Sequence, residues 1–170
     1  MANKIQNFDT GEKDNSNIIH LDLDPKINIE NKIYFKNLLK KISECSLDDL
    51  EENLENLYHV DAEFNGFHPI NEIKGIEEIK NKYLIPLKKA FPDLERRNNL
   101  VIGGAFRDKV FVSFISHLTG TFKNEWLGVK PTNKTIYLRT CEAHQITNNK
   151  IIKSYTLIDT VDFIRQAGHW

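Results

Sequence analysis

A predicted β-hairpin near the C-terminus constrains the fold of this chain most strongly. The run IYLRTCEAHQITNNKIIKSYTLIDTVD, from Ile136 to Asp162, contains two segments rich in β-branched and aromatic residues on either side of Asn148-Asn149. Asparagine tolerates the left-handed backbone conformation that a tight hairpin turn requires. The sequence therefore predicts two antiparallel strands joined by a two-residue turn.

One face of the first predicted strand carries both of its titratable acid/base candidates. Side chains alternate between the two faces of a strand, so one face holds Leu138, Thr140, Glu142, His144 and Ile146. We expect this face to form a wall of a ligand pocket.

The composition favours one soluble globular domain. The chain has 170 residues, of which 40% are hydrophobic and 28% are charged, and its net charge is -1. A nearly neutral chain has no general attraction to nucleic acid or to anionic membranes. No apolar run approaches the roughly 20 residues of a membrane span, and the polar start lacks the apolar core of a signal peptide. We expect a cytoplasmic protein with neither a nucleic acid nor a membrane partner.

The cysteine and histidine spacings do not favour a metal site. No HxH, HExxH or CxxC spacing occurs, and Cys45 and Cys141 are the two cysteines. We expect both to be buried free thiols; a disulfide or a shared metal is the alternative.

The residues before the first helix are polar. Residues 1–28 are interpreted as a flexible arm and residues 29–170 as the folded domain. The arm holds a small apolar patch, which could lie on the surface or add a strand to the sheet edge of a partner; the patch consists of Ile18, Ile19, Leu21 and Leu23.

Helical signals come first in the chain and strand signals follow. Apolar spacing predicts helices over Glu30–Cys45, Leu47–Tyr58 and Ile76–Phe91, the last either kinked or split in two at Pro86. After Leu94 the pattern becomes that of strands, with a break expected at Gly103-Gly104, until a short terminal helix over Val161–Gln166. This order predicts an α+β fold in which N-terminal helices pack over the concave face of a curved antiparallel sheet. Such a cone-shaped arrangement encloses a cavity of the kind that binds ligands.

The register of the hairpin has two possible outcomes. A plain two-residue turn pairs Glu142 with Tyr155 and directs Asp159 toward the pocket face. One bulge residue instead pairs Glu142 with Thr156 and turns Asp159 away. Asp159 is also placed to cap the terminal helix.

Five local segments occur in an order that resembles the SnoaL-like polyketide cyclase family. They are HPINEIKG, IPLKKAFPDLERR, GTFKNEWLGVKPTNK, LRTCEAH and DTVDFIRQAG, and the resemblance covers about Ile33 to Gly168. It implies the cone-shaped α+β barrel of nuclear transport factor 2, also called cystatin-like, with no cofactor, a small-molecule cavity and a homodimer packed through the sheets. Characterised cyclases of this family close a ring by intramolecular aldol chemistry on an aromatic polyketide ester.

The resemblance also suggests positions for the site, and the chain differs from the family at the main one. The catalytic Asp of the cyclases falls at Thr156, their pocket His falls at Glu142, and a second acid common in the family falls at Asp159. A threonine hydroxyl is a poor proton donor at neutral pH.

The candidate catalytic residues are Glu142, His144 and Asp159. Glu142 is expected either to have a raised pKa and transfer protons, or to pair with an arginine such as Arg96, Arg97 or Arg139. Each aromatic candidate for the pocket could instead pack in the core. The expected pocket residues are Phe64, Phe67, His68, His117, Trp126, Tyr155 and Thr156.

Two functions are consistent with these residues. The first is a cofactor-independent acid/base enzyme that cyclises, isomerises or hydrates a small hydrophobic carbonyl compound. The second is a non-catalytic module that binds a hydrophobic ligand or forms dimers. A cavity filled by side chains would disfavour both ligand-based versions and leave an interaction role.

Overall fold

A long helix begins the part of the chain that this computed structural model describes, residues 23–169. Helix α1 (Pro25–Glu44) starts inside the predicted arm, because Asp24 caps it by accepting hydrogen bonds from the amides of Lys26 and Ile27. Proline fits the first turn, where its missing N–H costs nothing. The rest of the expected arm, residues 1–22, lies outside the described residues, as does most of its apolar patch.

The second helix leads directly into the sheet. Helix α2 (Leu50–Leu57) buries Leu50, Leu54 and Leu57, and strand β1 (Tyr58–Asn65) follows without a loop. The short strand β2 (Glu72–Lys74) pairs with β1.

The third helical segment is divided into three parts near Pro86. Helix α3 (Ile76–Ile79) continues into a π-helical turn (Lys80–Leu84) and then into α4 (Ile85–Ala90). Proline cannot donate the hydrogen bond expected inside a helix, and its ring collides with the carbonyl four residues earlier. The wider π turn removes that conflict. The segment is therefore divided, which was one of the two outcomes predicted at Pro86.

The remaining strands complete a six-stranded sheet. They are β3 (Glu95–Phe106), β4 (Lys109–Thr121), β5 (Thr135–Thr147) and β6 (Lys150–Ile158). The strand order is β2-β1-β6-β5-β4-β3. The α+β fold class is confirmed, with one correction: β1 runs parallel to β6, so the sheet is not purely antiparallel.

The predicted break at Gly103-Gly104 does not occur. Strand β3 continues through both glycines, which pair with Val112 and Phe111 of β4. A Cβ atom on Gly103 would lie 2.2 Å from the side-chain oxygen of Asn28, and Asn28 donates a hydrogen bond of 3.0 Å to the Gly103 carbonyl. The glycine therefore permits close packing of α1 on β3 rather than ending the strand.

The C-terminal helix closes one end of the core. Helix α5 (Thr160–Ala167) is capped by Asp159 and ends at Gly168, whose φ is +84°. Phe163 inserts into a cluster of buried aromatic rings together with Phe67, Phe91, Phe122 and Trp126. Within residues 23–169, no helix is long and apolar enough to cross a membrane.

Candidate functional site

The register of the β5–β6 hairpin decides which side chains meet. Asn148 and Asn149 have φ values of 50° and 59°, as the predicted turn requires. A bulge follows, because Gln145 pairs with Lys153 whereas Ile146 pairs with Ile151. Glu142 therefore lies opposite Thr156, which is the second of the two registers considered from the sequence.

The inner face of this hairpin carries polar side chains at its centre, and these side chains are buried away from solvent. Glu142 and His144 on β5 lie beside Thr156 and Ser154 on β6, and all four are buried. The flanking inward positions, Leu138 and Ile146, are apolar. Because buried polar groups must find partners, this patch requires its own hydrogen-bond network.

Glu142 forms a two-point ion pair with Arg96 of β3. Arg96 Nη1 donates to Oε1 at 3.1 Å and Nη2 donates to Oε2 at 2.5 Å. Both side chains are only 4% exposed. A paired, doubly hydrogen-bonded geometry is the arrangement that compensates best for burying two charges.

The pKa of Glu142 is lowered, in contrast to one of the two expectations. Burial raises the pKa of this carboxyl, but the charge and the hydrogen bonds of Arg96, together with the nearby His144 ring, outweigh burial. Glu142 is therefore an ionised carboxylate at neutral pH. Its pairing with an arginine, the alternative considered from the sequence, is confirmed.

Arg96 reaches the inner face because strand β3 contains a bulge. The pairing of β3 with β4 shifts between Asn98 and Leu100, so inward positions are even-numbered before the bulge and odd-numbered after it. Arg96 also donates to Asn98 at 2.8 Å and to Ser116 at 3.1 Å, and its guanidinium lies over the ring of Phe114. These contacts fix the orientation of the cation that holds Glu142.

His144 has one satisfied ring nitrogen and one unsatisfied nitrogen. Nδ1 lies 2.9 Å from Ser154 Oγ. Nε2 lies 3.5 Å from Glu142 Oε2, too far for a good hydrogen bond, and no described residue satisfies it. A buried polar atom without a partner is rare in a native structure and needs an explanation such as a ligand, a water molecule or catalysis.

Two buried tyrosines complete the polar end of the site. Burial and the negative charge of Glu142 raise the pKa of Tyr58 to about 12, although the nearby Ser154 hydroxyl partly opposes this shift. Burial and Glu142 also raise the pKa of Tyr83. Both hydroxyls are therefore protonated at neutral pH.

These groups line a small cavity between the sheet and the helices. Its volume is about 30 Å³, whereas drug-sized ligands occupy about 300–1,000 Å³. It has room for ordered water but not for a ring-sized molecule. Its polar lining comes from the Glu142 network and from Ser43 and Lys88, and much of its apolar lining comes from α1, the π-helical turn and α4. The lining residues are Leu39, Ile42, Ser43, Leu57, Tyr58, Tyr83, Leu84, Leu87, Lys88, Leu94, Arg96, Leu118, Glu142, His144 and Thr156.

Asp159 and Tyr155 do not belong to this group, because the bulge turns them away. Tyr155 is 46% exposed on the outer face of the sheet. Asp159 caps α5 by accepting from the amide of Asp162 and pairs with Arg139 at 2.8 Å. The expectation that Tyr155 lines the pocket is wrong, and the structure separates Asp159 from Glu142 and His144.

His117 also lies on the outer face, which corrects its expected position in the pocket. It pairs in register with Arg97 and Arg139, and Nδ1 lies 3.2 Å from the side-chain oxygen of Asn99. Alternate residues of β4 face the core, and Ser116 and Leu118 occupy the inward positions on either side.

The expected aromatic walls lie in the core rather than at the cavity. Phe64 packs on Tyr83, and Phe67 and Trp126 belong to the aromatic cluster around Phe163. His68 is exposed and precedes a cis proline. None of these four lines the cavity. Thr156 is the pocket candidate that does.

Sequence analysis missed Tyr58, Tyr83 and Ser154. Tyr58 is the last residue of the second predicted helix, and Tyr83 lies within the third predicted helix. Ser154 shares the face of Thr156 in the bulged register, so the alternation along β6 was the signal that could have identified it. Among residues 23–169, no group of three or more His, Cys, Asp or Glu is placed to hold a metal ion.

The outer face of the sheet carries an exposed apolar band. One row crosses four strands in register, and a second row lies beside it. The two cysteines are free thiols, but Cys141 lies exposed in this band and Cys45 is half-buried, so the expectation that both are buried is wrong. The outer apolar band consists of Leu100, Ile102, Ile115, Cys141, Tyr155 and Leu157.

Solved structures share this fold at low sequence identity. AclR from Streptomyces galilaeus is 20% identical with a TM-score of 0.67, covering 84% of this chain and 98% of that one. A protein from Jannaschia sp. CCS1 is 16% identical with a TM-score of 0.65, and the match covers 87% of this chain and 97% of that one. IdmH from Streptomyces antibioticus is 18% identical with a TM-score of 0.62, and the match covers 79% of this chain and 98% of that one. These likenesses show the fold alone.

The sequence itself matches one family over most of its length. No curated protein matches the chain. The model of the SnoaL-like polyketide cyclase family matches residues 36–167, which include every strand, every residue of the Glu142 network and all but the first part of α1. The chain therefore belongs to the SnoaL-like polyketide cyclase family.

Proposed function

We propose that this protein is a cofactor-independent acid/base enzyme that acts on a small hydrophobic carbonyl compound. The observation that carries the proposal is the unsatisfied Nε2 of His144, buried at the cavity beside an ionised carboxylate. Histidine has the intrinsic pKa for proton transfer near neutral pH. Hydrogens next to a carbonyl are acidic enough that one positioned group and a dry site can catalyse their transfer.

The two acidic candidates have different parts in this proposal. Glu142 is ionised and paired, so it supplies a fixed negative charge beside His144 rather than a proton. Asp159 lies on the far side of the sheet and has no part in the chemistry. His144 is the residue that contacts the substrate, and Thr156 bounds the space opposite Glu142.

Substrate entry requires the helices over the cavity to move. Apolar side chains of α1 and α4 fill the space that a substrate would occupy. They include Leu39, Ile42 and Leu87. The π-helical turn adjoins this lining through Tyr83 and Leu84. We propose that these side chains part on binding and that a substrate pays for this rearrangement with its own apolar contacts.

The small cavity favours a second candidate function. A non-catalytic assembly module of the same fold needs no ligand space, and Thr156 in place of the family acid agrees with it. In that case the Glu142–Arg96 network is purely structural and the outer apolar band is the functional surface. The two candidates differ in whether a small molecule binds at His144.

A ligand screen by thermal unfolding tests the enzyme proposal. We expect a small apolar ketone or enone to bind, and at a hundredfold excess over Kd it should stabilise the protein by about 2.7 kcal/mol. For a chain of this size that corresponds to a rise in Tm of about 5–10 °C. The matched control is the hydrocarbon of the same shape without oxygen, which should bind more weakly. If no carbonyl compound in a broad panel raises Tm, the assembly module is favoured.

We also propose that two copies pair through the outer apolar band. Contiguous exposed apolar surface marks an interaction site, and a twofold interface buries the same patch on both copies. The band lies next to a row of polar side chains that would form a polar rim, namely Arg97, His117 and Arg139.

The dimer can be tested by light scattering on matched variants. Leu157 is 63% exposed in the band, and Leu157→Arg should raise the dimer Kd by about 100-fold or more, because it places two like charges together. Ile33 on α1 is 56% exposed outside the band, and Ile33→Arg should leave the mass unchanged. A monomeric mass for the wild type at high concentration would refute the dimer.

A further inference from the structure

A buried lysine shares the cavity with His144. Lys88 of α4 is only 7% exposed and lines the cavity from the side of the helices. His144 of β5 lines it from the side of the sheet. Lysine is almost never fully buried unless it is paired, and the proposed proton transfer gives Lys88 no part. Its amine is therefore a chemical group of the cavity that still needs a role.

The hydrogen bonding of Lys88 provides no negative charge for its amine. Nζ donates to the backbone carbonyl oxygen of Ser43 at 2.9 Å. Ser43 lies in the last turn of α1, where carbonyl groups have no partner within the helix. Among residues 23–169, no carboxylate forms an ion pair with Lys88. One N–H satisfies the Ser43 oxygen, so a neutral amine in this position retains its lone pair.

Burial favours the neutral form of this amine. An ammonium group is costly to bury without an opposite charge. Burial lowers the pKa of Lys88, although the nearby Cys45 and Glu44 partly oppose this shift. A neutral amine is a nucleophile toward a carbonyl carbon, and proteins activate lysine for this reaction by removing it from water. The location of Lys88 therefore suits attack on a carbonyl compound.

We propose that Lys88 is a second catalytic residue, whose amine forms a transient imine with an aldehyde or ketone bound in the cavity. This inference rests on the proposed function, in which a carbonyl compound enters the cavity and His144 transfers a proton. It deepens that function by naming the nucleophile and the substrate class. Esters are outside that class, because an amine that attacks an ester expels the alcohol and leaves a stable amide.

Imine formation needs no oxidant or reductant. The Lys88 nitrogen bonds to the carbonyl carbon, and the oxygen leaves as water with the two protons of the amine. The resulting C=N bond, once its nitrogen is protonated, withdraws electrons from the adjacent carbon more strongly than the carbonyl did. A hydrogen on that carbon becomes more acidic, so His144 can remove it. Addition of water reverses the first step and frees both the amine and the product carbonyl.

Reductive trapping in the full chain tests the proposal. Butanone or cyclohexanone is added at neutral pH with sodium cyanoborohydride, which reduces the C=N bond to a stable C–N bond. We expect one alkyl group per chain by intact mass, and peptide mapping should place it on Lys88. Lys88 should be alkylated at least about tenfold faster than Lys89, because the cavity holds the ketone beside the amine.

Lys89→Met is the matched control for Lys88→Met. Lys89 is the next residue of α4 and its side chain is exposed. We expect Lys89→Met to retain the adduct and Lys88→Met to lose it, with Tm as the check on folding. Peptide mapping of the wild type gives the answer even if Lys88→Met does not fold. A lysine that only satisfies the end of α1 would form no adduct. The proposal is overturned if Lys88 is not alkylated, or is alkylated no faster than Lys89.

Failure of this inference is distinguishable from failure of the proposed function. A ketone that raises Tm but leaves Lys88 unmodified would overturn the imine and leave proton transfer by His144 intact. A Lys88 adduct together with unchanged turnover in His144→Gln would support the imine and contradict the proposed role of His144. Failure of the whole panel of carbonyl compounds to bind or react would overturn both.

Discussion

An Arg96→Met variant is expected to lose about 3–5 kcal/mol of unfolding free energy at neutral pH, because it leaves the Glu142 carboxylate buried and unpaired. Urea unfolding followed by circular dichroism measures this loss. The matched control is Arg97→Met on the adjacent residue, which is exposed and makes no ion pair with a described residue. That control should change stability by no more than about 0.5 kcal/mol.

The pH dependence of the unfolding free energy lost in Arg96→Met identifies the cause of that loss. In the wild type the folded-state pKa of Glu142 lies below the ordinary 4.5, so the pair contributes stability that is present above that value and is lost as pH falls toward the folded-state pKa. Without Arg96, burial raises the pKa of Glu142, so the penalty is greatest at neutral pH and shrinks as acid protonates the carboxyl. The gap between wild type and variant should therefore narrow in mild acid.

A double variant separates the charge from the packing. Arg96→Met combined with Glu142→Leu removes both charges and should recover most of the stability lost in Arg96→Met alone. A loss that is the same at every pH and is not recovered in the double variant would mean that Arg96 acts through packing, which would contradict the ionised pair.

His144→Gln is expected to lower kcat by about 10²- to 10⁴-fold on the substrate found by the ligand screen, because it removes the group that transfers the proton. Glutamine retains a hydrogen-bonding side chain of similar length, so folding can be verified by Tm. Steady-state kinetics that separate kcat from KM provide the measurement.

Asp159→Asn is the matched control for that loss. Asparagine also caps helices well, so α5 should persist. Since Asp159 faces away from His144 and pairs with Arg139, kcat should stay within about twofold of wild type. Full activity in His144→Gln, or an equal loss in Asp159→Asn, would reassign the catalytic group.

The order of helix and strand patterns was sufficient to predict the α+β class, but it did not predict the hairpin register. The alternation of β5 correctly placed Glu142 and His144 on a buried face, and Asn148-Asn149 correctly marked the turn. The bulge leaves Ile152 of β6 unpaired between Ile151 and Lys153, and β6 also pairs in parallel with β1. The alternation of side chains does not reveal this extra residue, and the extra residue decides which way Asp159 faces.

The pKa of Glu142 could not be predicted because it depends on a bulge in another strand. The bulge at Asn98–Leu100 places Arg96, rather than Arg97, on the inner face. The sequence shows two adjacent arginines that would occupy opposite faces in either register. Only the pairing of β3 with β4 selects the one that meets Glu142.

The size of the cavity depends on packing that periodicity does not describe. The sequence predicted a cone closed by helices, and residues of α1 and α4 do cover its concave side. How far Leu39, Ile42 and Leu87 fill that space depends on rotamers and on the π-helical turn before Pro86. The same limit explains why Phe67 and Trp126 were expected at the pocket and lie in the core.

A crystal structure of the protein with a carbonyl compound from the ligand screen tests the central claim most directly. We expect the ligand oxygen to lie within about 2.7–3.2 Å of His144 Nε2, with Glu142 still paired to Arg96 and the side chains of α1 and α4 moved apart. A ligand bound elsewhere, with the cavity still closed and Nε2 still without a partner, would contradict it.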